Sequence, residues 1–158
     1  MIEGKVSQVF ITGDIVAKVF NKETVKGYRG SDQQSYQREK ECLERLQGNI
    51  HFPEIIHCDD EKLTIWMSYC GEMFPYDGKP RPELLSQVWE ISEALDNANI
   101  KLYGGTLQKN NLLLHNGIIK LVDFEYALPE GSDLEMEKDF INHIRRHWDQ
   151  TVFENRLK

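Results

Sequence analysis

The sequence predicts an α+β chain of two lobes, an N-terminal antiparallel sheet carrying one helix and a reduced, mainly helical C-terminal lobe. Three observations predict it. β-branched and aromatic residues crowd residues 6–20 and again 54–69, as strands require. Apolar residues recur at helical spacing over 36–46 and 84–95. Between the halves, residues 71–82 hold two Gly and three Pro, the densest punctuation in the chain. The 158 residues therefore read as one domain, with 1–70 as the N-terminal lobe, 71–82 as a hinge and 83–158 as a truncated C-terminal lobe.

Val6, Val9, Phe10 and Ile11 lead through Thr12-Gly13-Asp14 into Ile15-Val16-Ala17-Lys18-Val19-Phe20, a hairpin that suggests the start of a three-stranded sheet. A Gly-containing connection, 21–30, precedes a helix capped by Ser31 or Asp32, with Tyr36, Leu43 and Leu46 on one face and Gly48 at its end. Glu54–His57 and Leu63–Tyr69 read as two further strands joined by the charged turn Asp59–Lys62. Leu84, Val88, Ile91 and Leu95, widened by Leu85 and Trp89, give the most regular helix. Leu112–Leu114 and Ile118–Val122 flank Asn116-Gly117, the pair that favours a tight primed turn. From Ser132 on, Leu134, Ile141, Ile144 and Trp148 predict a terminal amphipathic helix.

Composition narrows the function classes. With 19 Lys and Arg against 26 Asp and Glu, the net charge of −7 disfavours general nucleic-acid binding. The apolar runs fall far short of the ~18 residues that cross a membrane, and Met-Ile-Glu-Gly-Lys is no secretory leader, so a cytoplasmic location is expected. Cys42, Cys58 and Cys70 match neither a zinc ribbon nor a redox pair and are expected to pack as free thiols. His143 and His147 lie four apart, but His-Ile-Arg-Arg-His lacks the Glu of a zinc-protease helix and reads as helix surface.

Taken together, the hairpin, the strand-borne Lys18, the helix with Glu39, the hinge, the long helix and the hairpin from Asn111 to Asp123-Phe124 resemble the protein-kinase-like superfamily. Ile15-Val16-Ala17-Lys18 looks like the strand that presents the nucleotide-binding lysine, with Glu39 as its ion-pair partner. Leu121-Val122-Asp123-Phe124-Glu125-Tyr126-Ala127 is similar to the magnesium-binding motif, with Glu after Phe as in choline and aminoglycoside kinases. The resemblance implies ATP and Mg as cofactors, held between the lobes: Lys18 on the phosphates, Asn111 and Asp123 on the metal, and the Met67, Ser68 and Tyr69 backbone on adenine. Gly4 to Val9, including Ser7, would cover the phosphates, although only one of the usual glycines is present.

One departure decides the expected chemistry. The family carries a catalytic Asp five residues before the metal-binding Asn, and counting back from Asn111 reaches Thr106. Thr is a neutral hydroxyl and no base near pH 7, and no acidic residue lies between Asn97 and Asn111. Losing a general base commonly costs ~10²–10⁴-fold in rate, yet phosphoryl transfer rests chiefly on positioning and charge, so the loss need not erase all turnover. The resemblance thus implies a pseudokinase or very slow phosphotransferase. Two alternatives stand beside it. One is an active transferase of phosphoryl or AMP to a small-molecule or protein acceptor, and the other is a nucleotide-free interaction module. Apolar residues near Trp148 and Phe153 suggest a homodimer contact.

Overall fold

A computed structural model describes residues 2–3, 7–20, 32–75, 79–103, 111–125, 127–132 and 144–145. Ile2–Glu3 (β1), Ser7–Thr12 (β2), Ile15–Phe20 (β3), Ile55–Asp59 (β4) and Thr64–Ser68 (β5) form one antiparallel sheet in the order β1-β2-β3-β5-β4. The hairpin therefore belongs to a five-stranded sheet and not a three-stranded one, because β3 also pairs with β5. Strand side chains alternate, and the register decides what faces inward: Val9 lies opposite Lys18 and Lys18 opposite Ile65, placing all three on one face. Helix α1 (Asp32–Arg45) packs against that face through Tyr36, Cys42 and Leu43, with the Tyr36 ring edge-on to Phe20 at 5.8 Å. Its charged residues would read as a solvent face, yet Arg38 and Glu39 are buried.

A 3-10 turn at Pro82–Leu84 runs into α2 (Leu85–Asn97), whose inner stripe is Val88, Ile91 and Leu95. Asn99, at φ 55°, takes the left-handed position that ends the helix, where Gly is usual. The chain then enters β7 (Ile100–Tyr103), which pairs with Ala127–Pro129 (β10) on one edge and Ile144–Arg145 (β11) on the other. The expected terminal helix is corrected at β11. Ile144 fits a helical stripe by spacing, but its backbone, with that of Arg145, adds to the edge of β7, where it meets unpaired ladder groups. Glu72–Met73 (β6), Leu112–His115 (β8) and Ile118–Leu121 (β9) form the remaining sheet. Asn116 and Gly117, at φ 51° and 78°, make the left-handed pair that a two-residue hairpin turn needs.

One buried cluster runs through both halves, from Phe20, Leu43 and Ile65 under the sheet to Phe124, Leu112 and Ile91 beside α2. Phe124 bridges them, its ring 6.0 Å from Phe52. His51, 2% exposed, fastens the segment after α1 to the other half: Nδ1 lies 2.8 Å from the Ile119 carbonyl and Nε2 2.8 Å from Glu90. The three cysteines are free thiols, Cys42 and Cys70 buried and Cys58 half-buried. Among the described residues no helix is long and apolar enough to cross a membrane.

Candidate functional site

Three elements meet at one buried ammonium group. Lys18 comes from the middle of β3, Glu39 from the inward side of α1, and Asp123 from the end of β9's hairpin. Lys18 Nζ lies 2.7 Å from Glu39 Oε2 and 3.0 Å from Asp123 Oδ1. It also stands 5.3 Å from the Phe20 ring centroid, over its negative face. Glu39 spends its other oxygen on the Phe124 N–H at 3.3 Å. Glu125 is buried close by and adds a third negative field at Lys18.

Charge and burial oppose each other here. Burial alone would lower the Lys18 pKa, but Asp123, Glu39 and Glu125 outweigh it and hold the ammonium above its ordinary value. Burial pushes the Glu39 carboxyl above its ordinary range, against the pull of Lys18. A lysine pKa raised by folding stabilises the fold fully below the unfolded value of 10.5, and that contribution is lost as pH rises beyond it. Unfolding free energies measured between pH 9 and 12 should therefore fall more steeply for the native protein than for Lys18→Met; parallel curves would remove Lys18 as the cause.

Asp123 sits at φ 73°, a left-handed conformation uncommon outside Gly but tolerated by Asp. Its side chain keeps 31% of its surface exposed while Lys18 engages Oδ1. Asn111 stands at the other open end of the same hairpin, its carbonyl accepting the Val122 N–H at 2.9 Å. This backbone bond brings residue 111 across the hairpin from the residue before Asp123. Among the described residues no trio of His, Cys, Asp or Glu is placed to hold an ion. An ion here would rest on Asn111, Asp123, ligand oxygens and water, the donor set that magnesium with phosphates accepts.

The end of β5, expected to meet adenine, has its backbone largely engaged. Met67 is buried on the Lys18 face of the sheet. Ser68 N–H donates to the Glu54 carbonyl and Tyr69 N–H to the Asp14 carbonyl, both at 2.9 Å. Both N–H groups are thus spent on backbone carbonyls, and the Ser68 carbonyl accepts from the Cys70 thiol at 3.6 Å. The Tyr69 ring meets His115 edge-on at 5.7 Å, tying the residue after β5 to β8. Burial raises the Cys70 thiol to about 11, which keeps it protonated and unreactive at neutral pH.

Lys18, Glu39 and Asp123 are brought into contact, and the Asn111 backbone is bonded to Val122, the residue before Asp123. Ser7 opens β2 opposite Phe20, buried on the Lys18 face. Gly4, Thr106, Trp148 and Phe153 lie outside the described residues. Sequence reasoning missed Arg38, whose Nε donates to the Glu125 carbonyl at 2.9 Å, and Arg45, which donates to the carbonyls of Ala98 at 3.1 Å and Glu130 at 2.8 Å. Charged residues on a charged helix carry no local sign that distant carbonyls will cover them.

No protein-family model matches the sequence, and none of the curated proteins does. Solved structures do match. A Rio2 kinase from Chaetomium thermophilum, described as an ADP/Mg2+-phosphoaspartate complex, superposes with a TM-score of 0.60 at 17% identity over 98% of this chain. WbdD, solved with a kinase inhibitor, superposes with a TM-score of 0.61 at 15% identity over 80% of this chain. The chain spans 54% of the first and 32% of the second. The fold is thus a minimal two-lobed kinase-like one, an N-terminal antiparallel sheet with its helix and a reduced C-terminal region organised on α2.

Proposed function

We propose that this chain binds a magnesium nucleotide between its lobes and transfers phosphoryl groups very slowly or not at all. The preassembled contact of Lys18 with Glu39 and Asp123 carries the reading. A lysine fixed by a buried carboxylate offers phosphates a stationary cation, whereas a surface lysine would wander. When bound, magnesium would neutralise phosphate charge. Asp123 and Asn111 are the residues to hold it, with Lys18 left to face the phosphates. The ADP and Mg2+ described for the Rio2 kinase complex support this ligand class.

The weak-transfer part of the reading rests on Thr106, which stands where the family's catalytic Asp is expected and supplies no base. An acceptor, if turnover survives, is a small molecule or protein. Thermal shift with ATP, ADP and AMP, each with and without magnesium, tests the binding half. A ligand bound only by the folded state raises the melting temperature by mass action. A magnesium-dependent rise with ATP, lost in Asp123→Ala, is the expected result. No rise under any condition would favour an interaction module that kept the fold without the nucleotide.

A further inference from the structure

Arg38 and Glu39 are successive residues of α1, each about 1% exposed, and both reach the segment that follows Asp123. Glu39 Oε1 accepts the Phe124 N–H at 3.3 Å, and Arg38 Nε donates to the Glu125 carbonyl at 2.9 Å. The two bonds bracket Phe124 and Glu125, so the peptide groups on both sides of this pair are held from one turn of helix. Ser35 Oγ, one turn earlier, accepts from Arg38 Nη2 at 3.1 Å and fixes the guanidinium plane. Immediately upstream lies Asp123 at φ 73°. A left-handed non-glycine residue persists only where its surroundings over-determine it.

We propose that Arg38 is a positioning residue of the magnesium–nucleotide site: with Glu39 it clamps residues 124–125, so that the Asp123 carboxylate stays aimed at Lys18 before any ligand arrives. This rests on the reading of the site given above. Burying a guanidinium is costly, and the cost is offset only where each bond is well made. A charge-assisted bond to a backbone carbonyl is among the stronger ones and leaves little freedom to the chain it holds. A preorganised ligand loses little affinity to reorientation, so the effect of the clamp should appear in metal-dependent binding.

The test pairs a ligand-free readout with a binding one, using Arg38→Met and the milder Ser35→Ala. Amide exchange at Phe124 in the free protein should speed by about tenfold in Arg38→Met, as expected for loss of a neighbouring charge-assisted bond. The dissociation constant for ATP with magnesium, measured by calorimetry, should rise by about tenfold, while that for ATP without magnesium changes less than about twofold. Should Arg38→Met fail to fold, Ser35→Ala carries the test with a two- to threefold rise, roughly, in the same magnesium-dependent constant. Unchanged exchange at Phe124, or an equal loss with and without magnesium, overturns the positioning role. A native protein that binds ATP no better with magnesium overturns instead the reading on which the role depends, while the exchange result still reports on the clamp.

Discussion

Lys18→Met is expected to lower stability by about 3–5 kcal/mol, because it removes one member of a buried ion pair and leaves the other charged. Glu39 then faces a hydrocarbon chain with its side chain 2% exposed, and Asp123 loses the same cation. Of the 5–15 kcal/mol, roughly, that a domain has in total, this is a large share. The loss should depend on pH in a defined direction. Folding raises the Glu39 pKa, so the folded state binds that proton more tightly than the unfolded chain, and stability improves as pH falls toward the ordinary value of 4.5. Urea unfolding at pH 5 and pH 8 should show the variant recovering at the lower pH, and Lys18→Met with Glu39→Gln should recover much of the loss at both. A loss under about 1 kcal/mol at pH 8 would mean that water already solvates the cluster.

Gly71→Ala is the second large effect, and it acts at the hinge. Gly71 has φ 100°, and a Cβ placed there would stand 2.4 Å from the Leu114 carbonyl oxygen and 2.6 Å from the His115 Cβ. Neither neighbour is a flexible tip. The first is backbone of β8, and the second is rooted in the same strand, which also pairs with β6. Strain at the left-handed position and overpacking each cost about 1–3 kcal/mol, so a total of about 2–6 kcal/mol is expected. For a chain of this size that is a fall of about 4–24 °C in melting temperature by calorimetry. Because β8 also meets Tyr69 and leads out of Asn111, the displacement should weaken magnesium-nucleotide binding as well. A fall of under about 2 °C would show that the hinge can open at little cost.

Sequence pointed to the residues of the cluster better than to their surroundings. Lys18, Glu39 and Asp123 were legible because each sits on an element with a strong local pattern: a β-branched strand, an amphipathic helix, and a hairpin marked by Asn116-Gly117. Register then follows from the turn, and contact from register. β1, β6, β7 and β10 were not legible, being two to four residues long and formed by distant partners. Ile144 shows the limit of periodicity, since one apolar spacing suits a helix while a strand edge elsewhere captures the backbone. At the hinge, Asp14 and Glu54 carbonyls take the N–H groups of Tyr69 and Ser68, pairings that only the folded sheet reveals. Arg38 was hidden for the same reason, its partner at Glu125 lying 87 residues away.

Whether Lys18 and Asp123 form a site for a magnesium nucleotide is decided by calorimetric titration of ATP into the native protein and Asp123→Asn. Asn keeps the size and one oxygen of Asp but removes the charge that a hard cation requires. Saturable binding to the native protein should tighten by about tenfold or more on adding magnesium, with no magnesium dependence in the variant. Binding that is absent at millimolar ATP, or equally magnesium-dependent in both proteins, would contradict it.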